Sequence, residues 1–158
     1  AACSDRACGA TLPRPSRRPG ATRMLLNPYL NFDGRCAEAF RFYEKALGGK
    51  IIRLDTFAGS PMADQVGPEM RDKVIHARLE VEGKLLMGSD STAGNAKTPQ
   101  GFGVALGYDD LGEAKRAFDA LAEGGRIDMP LQETYFAKAF GMVVDRFAIP
   151  WLISGGSI

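Results

Sequence analysis

One predicted β-hairpin collects the side chains best suited to chemistry on a single face. Two strand-like runs, 73–81 and 84–89, flank the two-residue connection Glu82-Gly83, which is a strong hairpin signal. The turn sets the cross-strand pairs, which are Val81–Lys84, Arg78–Met87 and His76–Ser89. Side-chain alternation then groups a polar set on one face: His76, Arg78, Glu80, Met87 and Ser89. The opposite face is largely apolar and is expected to pack on a helix: Ile75, Ala77, Leu79, Val81, Leu86 and Gly88.

His76 and Arg78 are the residues of this polar set best suited to catalysis or to ligand binding. An imidazole can take up or release a proton near neutral pH, so His76 is the candidate catalytic residue, as a general base. It could equally be a hydrogen-bonding wall residue, or a structural residue bonded across the hairpin to Ser89. Arg78 could hold a carboxylate or phosphonate through two hydrogen bonds, or it could pair with Glu80 or a loop acid.

The first predicted strand, 26–32, adds polar side chains to the same wall. Along this strand the polar Tyr29 and Asn31 lie on either side of the apolar Leu30, so polar and apolar side chains alternate. Such a wall suits a small polar or anionic organic ligand. The predicted binding residues are Tyr29, Asn31, His76, Arg78, Met87 and Ser89.

Two further motifs are weaker. Cys36 with His76 could form a thiol catalyst, since a cysteine at a helix start tends to ionise easily. That helix, however, is expected on the outer face, away from the polar wall. The run Gly101-Phe102-Gly103 lies in a predicted strand and lacks a P-loop lysine. We therefore predict no cofactor.

The elements that position the wall form one unit that occurs twice. The first copy has a strand at 26–32, a helix at Cys36–Leu47, a strand at 50–57 and the hairpin. After a polar linker, 91–100, the second has a strand at 102–108, a helix at 112–122, a strand at 126–129 and a hairpin of 140–146 with 149–154. The Gly-Gly pairs that end the two helices are 76 residues apart. The pattern predicts an α+β fold of two tandem βαβββ modules, 24–92 and 100–156.

Composition excludes several classes of protein. The 158 residues carry a net charge of +1, which gives no electrostatic reason to expect nucleic acid or an anionic membrane as partner. No apolar run approaches the roughly 18–20 residues needed to span a bilayer. The single histidine excludes a multi-histidine metal site.

Residues 1–23 differ from the rest of the chain. They hold five arginines against one acidic residue, so they are predicted to stay outside the folded domain, 24–158. A transit peptide or a nucleic-acid arm is one interpretation; a disordered extension ahead of a start at Met24 is the one we favour. Cys3 and Cys8 lie in this tail, which leaves Cys36 alone in the body. A body without an internal disulfide predicts a reducing cytoplasm.

Three segments carry a resemblance to a known family. NPYLNFDGRCAEAFRFYEKALGG at 27–49, VIHARLEVEGKLLMGSD at 74–90 and DRFAIPWLIS at 145–154 resemble the PhnB-like branch of the vicinal oxygen chelate superfamily. Glyoxalase I, extradiol dioxygenases and bleomycin-resistance proteins belong to the same superfamily. The resemblance implies paired modules that form a cup-shaped mixed sheet with helices on its outer face, usually completed in a homodimer. It implies little about the reaction, because the fold hosts lyases, oxygenases, epimerases and simple binders.

The resemblance also allows a test of the superfamily's metal site. Metal-using members bind a divalent ion through the first and last strand of each module. Those positions fall near Asn27 or Pro28, at Met87, near Gly103 and at Leu152, and none is His or Glu. We therefore predict a metal-independent protein that binds a small molecule and forms a homodimer. The alternatives are a metal-dependent lyase or oxygenase of glyoxalase type and a drug-sequestering binder like the bleomycin-resistance proteins.

Overall fold

Both halves of the chain fold as βαβββ modules. The structure is a computed structural model that describes residues 24–92 and 97–157, so the predicted tail, 1–23, and part of the linker lie outside it. The first module has β1 (Tyr29–Phe32), α1 (Cys36–Leu47), β2 (Lys50–Thr56), β3 (Val74–Val81) and β4 (Lys84–Asp90). The second has β5 (Val104–Tyr108), α2 (Leu111–Ala122), β6 (Arg126–Gln132), β7 (Ala137–Val144) and β8 (Pro150–Ser157). The predicted α+β fold with two tandem modules is confirmed.

Each module builds its own four-stranded mixed sheet. The strand orders are β1-β4-β3-β2 and β5-β8-β7-β6, with the first strand of each module parallel to its last. The other neighbours are antiparallel. Among the described residues no strand of one sheet pairs with a strand of the other, so each module contributes a separate four-stranded sheet.

The β3–β4 register follows from its two-residue turn. Val81 pairs with Lys84 and Arg78 with Met87, and the last pair of the ladder is Ala77 with Gly88. The start of β3 differs from the sequence prediction, because Val74 is buried and Ile75 only half-buried. The reason is a shift of register against β2 next to Asp55, which inserts one extra residue in β3 and reverses the alternation there.

Both helices begin and end where their sequences indicate. α1 has the predicted bounds, and Gly48 ends it in the left-handed conformation at φ 67°. α2 starts one residue earlier than predicted, with the Asp110 side chain accepting a hydrogen bond from the Glu113 N–H at 2.9 Å. Each helix covers one face of its own sheet, and the two helices also contact each other. The buried faces therefore merge into one hydrophobic core.

The turn between β7 and β8 attaches the second module to α1 of the first. Buried Asp145 accepts hydrogen bonds from the Tyr43 hydroxyl at 2.7 Å and from the Trp151 indole at 2.8 Å. Its other oxygen accepts the backbone N–H groups of Phe147 and Ile149. Trp151 is almost fully buried.

Two arginine–aromatic contacts cross the same boundary. Arg35, just before α1, lies over the Phe147 ring at 4.5 Å, and Arg146 lies over the Phe42 ring at 4.7 Å. Such contacts contribute about 0.5–1 kcal/mol each at exposed positions. The two modules are thus held together by the buried hydrogen bond between Tyr43 and Asp145 and by reciprocal stacking.

The remaining segments are loops and short turns. Three short 3-10 turns lie between β2 and β3, within residues 57–70. β6 runs three residues beyond its predicted end, and β7 begins three residues before its predicted start. No helix in the described part of the chain is long and apolar enough to cross a membrane.

Candidate functional site

The six predicted binding residues lie on one face of the first sheet. This is the face turned away from α1, and we call it the first face. One row of side chains runs across all four strands: Arg53, Arg78, Met87 and Tyr29. Beside it, Asp55 pairs with His76, and Ser89 pairs with Asn31. Directly paired residues project to the same side of a sheet, so register alone brings this polar set together.

Tyr29 and His76 contact each other across the first face. The Tyr29 hydroxyl lies 3.4 Å from His76 Nδ1, and the two rings stack with centroids 6.0 Å apart. His76 therefore takes Tyr29 as its partner, whereas the described residues show no hydrogen bond from it to Ser89. The contact orients the imidazole, and Nε2 has no hydrogen-bond partner in the described part of the chain.

Arg78 is a cation of the first face that has no acidic partner among the described residues. Its side chain is half-buried, and its Nε is enclosed without a hydrogen-bond partner. Neither Glu80 nor a loop acid pairs with it among the described residues. The facing residue, Arg53, is already neutralised by an ion pair with Asp55. An enclosed guanidinium donor without an acceptor costs stability, since removal from water is not offset by a hydrogen bond.

The donor set does not fit a divalent metal ion. Within residues 24–92 and 97–157 no three His, Cys, Asp or Glu side chains come together. Met87 and Leu152 occupy sheet positions that the resemblance assigns to metal ligands, and neither offers nitrogen or oxygen. The buried Asp90 is engaged on the helix side, where it accepts the N–H groups of Cys36 at 2.9 Å and Val74 at 2.8 Å.

Cys36 is a core residue and does not meet His76. Its side chain is fully buried on the sheet-facing side of α1. Burial, with a smaller contribution from nearby Asp90, raises the pKa of the thiol well above its usual range. The thiol is therefore held protonated, and the arrangement of Cys36 with His76 as a thiol catalyst is wrong.

A groove that the sequence did not predict adjoins the first face. The linker after residue 96 runs beside β1 and encloses about 340 Å³. We call this space the linker groove; it is lined by Tyr29, Leu30, Asn31, Lys97, Thr98, Pro99, Gln100, Phe102 and Ile149. The linker has no periodic pattern, so nothing in its sequence indicates which element it lies against.

The matching face of the second sheet, the second face, is mostly apolar. Its rows are Ala105, Leu152, Met142 and Met129, and then Gly107, Ser154, Phe140 and Gln132. Phe136 packs on Phe140 with ring centroids 5.0 Å apart. The neighbouring Tyr135 is 93% exposed, so in this structure it neither closes over the first face nor enters the core.

Comparison with known proteins agrees with this architecture. The family model described as Glyoxalase/Bleomycin resistance protein/Dioxygenase superfamily matches residues 25–153. Protein YjdN of Escherichia coli (strain K12) is 35% identical over 139 residues, which are 83% of this chain and 95% of that protein.

Two solved structures are also similar to this chain. Protein PA1353 from Pseudomonas aeruginosa is 39% identical with a TM-score of 0.77, covering 84% of this chain and 98% of its own. A PhnB protein from Bacillus cereus is 26% identical with a TM-score of 0.69, covering 82% and 98%. The fold, the matched residues and these relatives together show that the chain belongs to the glyoxalase/bleomycin resistance protein/dioxygenase superfamily, with PhnB-like proteins among its relatives.

Proposed function

We propose that the chain binds a small organic anion on the first face, through Arg78 and without a metal ion held by protein ligands. The observation that carries the proposal is the enclosed Nε of Arg78, which lacks a hydrogen-bond partner. No acidic side chain of the described residues pairs with this guanidinium, so a bound carboxylate or phosphonate would neutralise its charge. A cationic drug would be repelled by the same group, which disfavours sequestration of the bleomycin-resistance type.

The neighbouring polar groups suit the orientation of such an anion. His76 and Tyr29 form a contacting pair one strand row away, and Ser89 and Asn31 add neutral donors and acceptors. His76 is the group placed to move a proton on the bound molecule. The reaction itself stays unassigned, because members of this fold range from binders to oxygenases.

The test replaces Arg78 and measures anion binding by titration calorimetry. We expect Arg78→Met to weaken binding of butyrate and methylphosphonate at least tenfold, because a charge-assisted hydrogen bond contributes about 1.5–3 kcal/mol. The control is Lys138→Met, which removes one positive charge from the exposed surface of the second sheet and should leave binding unchanged. Equal affinities of the wild type and Arg78→Met would overturn the proposal.

The metal-dependent alternative is tested on protein without a histidine tag. Elemental analysis should find no stoichiometric metal, and Ni, Zn, Mn or Fe(II) should not shift the melting temperature. Stabilisation by several degrees with one ion would instead favour the glyoxalase-type lyase or oxygenase.

We also propose that the protein is a homodimer. Each four-stranded sheet has two edge strands that no other strand of the described chain covers, and the second face exposes Met142 and Phe136. Light scattering coupled to gel filtration should give twice the chain mass. A monomer mass at micromolar concentration would contradict it.

A further inference from the structure

We propose that the ligand of the first face carries a ring, which lies in the linker groove while its anionic group is held by Arg78. This inference rests on the proposed function and names the class of molecule: an aryl-bearing or cyclic organic carboxylate or phosphonate. It makes the linker groove a second subsite of the same binding site.

The two subsites are continuous. Tyr29 and Asn31 belong both to the first face and to the lining of the linker groove. Arg78, Met87 and Tyr29 lie in one row on three adjacent strands, so their backbones span about 10 Å. A molecule with its anionic group on Arg78 can therefore cross Met87 and reach the groove beside Tyr29.

The groove offers a ring-sized apolar surface. Phe102 is 53% exposed and Tyr29 is 44% exposed, and both line the groove. Phe102 makes no ring contact with any other described residue, which is unusual because aromatic side chains gain most from burial. Pro99 and Ile149 complete the apolar lining, and about 340 Å³ falls within the range of small-molecule sites.

The positive charge of the groove determines which charge a bound molecule can carry. Lys97 also lines the groove and forms no ion pair with a described residue, so the groove is positive like the first face. A cationic or zwitterionic body would meet repulsion at Lys97 as well as at Arg78. A neutral ring linked to an anion satisfies both subsites, whereas a bare oxyanion fills only one.

The experiment compares butyrate with 4-phenylbutyrate, which differ only by the ring. We expect the wild type to bind 4-phenylbutyrate at least tenfold more tightly than butyrate. Phe102→Ala should reduce that ratio to less than threefold. The matched control is Tyr135→Ala, which removes an exposed aromatic side chain outside the groove and should keep the full ratio.

The outcomes separate this inference from the proposed function. Equal affinities for the two anions overturn the ring subsite, and so does an affinity ratio that is retained in Phe102→Ala. Both results leave Arg78-dependent butyrate binding intact. A ratio lost in Tyr135→Ala but kept in Phe102→Ala places the ring elsewhere and also overturns it. Binding of both anions that does not respond to Arg78→Met overturns the proposed function instead. Phe102→Leu, with unchanged melting temperature as its check, repeats the test with a smaller change in shape.

Discussion

The first and second faces occupy the same positions of two similar sheets, yet their chemistry differs at most of the matching positions. Strand pairing aligns them as Arg78 with Met142, His76 with Phe140, Arg53 with Met129, Asp55 with Gln132 and Tyr29 with Ala105. Both sheets have the same strand order and a helix on the inner side. The fold therefore does not require charged groups at these positions. We propose that the charges of the first face serve the binding of a ligand.

The two helices show a second difference, in how their first turns are capped. α2 is capped locally by Asp110, whose side chain accepts the Glu113 N–H. Arg35 precedes α1 and gives no side-chain cap, and the Cys36 N–H is bonded instead by Asp90 at the end of β4. One helix start is thus specified by adjacent residues, and the other depends on the completed sheet.

The largest predicted effect concerns the connection between the modules. Asp145→Ala should lower the free energy of unfolding by about 4 kcal/mol, because four donors lose a buried acceptor at once. Urea unfolding measures this. The control, Asp119→Ala on the exposed side of α2, should not change the midpoint.

The number of unfolding transitions would show how strongly the two modules are coupled. A single transition in the Asp145→Ala variant would mean that the shared core still couples them. Two separate transitions would mean that Asp145 is the main connection. A variant as stable as the wild type would contradict the role assigned to Asp145.

The helix caps provide the next largest effect. Asp90→Ala should cost about 3 kcal/mol, since it leaves the buried N–H groups of Cys36 and Val74 without an acceptor. Asp110→Ala should cost about 1 kcal/mol, as is typical for loss of an exposed N-cap. Chemical unfolding of both variants under the same conditions gives the ratio. Similar costs would mean that the two helix starts depend equally on distant contacts.

The smallest predicted effect comes from a substitution that makes the first face resemble the second face at one position. His76→Phe introduces the residue found at the matching position, Phe140, and removes the contact with the Tyr29 hydroxyl. We expect butyrate binding to weaken about threefold to tenfold, since one oriented polar group is lost, while thermal stability changes little. Unchanged binding in calorimetry would remove His76 from the site and leave Arg78 to act alone.

Prediction from sequence succeeded where neighbouring residues decide the structure. The apolar spacing of 36–47 and the following glycines predict α1 with its observed bounds, and the Glu82-Gly83 turn predicts the pairing of Arg78 with Met87. Alternation then predicts which side chains share the first face. It failed at Ile75, because a bulge depends on the partner strand β2.

The sequence also could not show which polar groups find partners. Asp145 was predicted to lie within a strand, but the strand ends at Val144 and the carboxylate turns inward to a helix of the other module. The sequence left open whether Arg78 pairs with an acidic residue or is free. The positions of the neighbouring acidic residues were needed to decide between the two. The hydrogen bond between Tyr43 and Asp145 joins residues 102 positions apart, so no local pattern indicates it.

By itself, the sequence determined the duplicated βαβββ order, the helix bounds, the register of the first hairpin and the polar character of the first face. These features follow from periodicity and turn chemistry, which act over a few residues. Only the tertiary structure decided that Arg78 has no acidic partner among residues 24–92 and 97–157, that Cys36 is buried, and that the linker lies beside β1 to form a groove. Those properties depend on which segments pack together, because burial and hydrogen-bond partners come from residues distant in the chain.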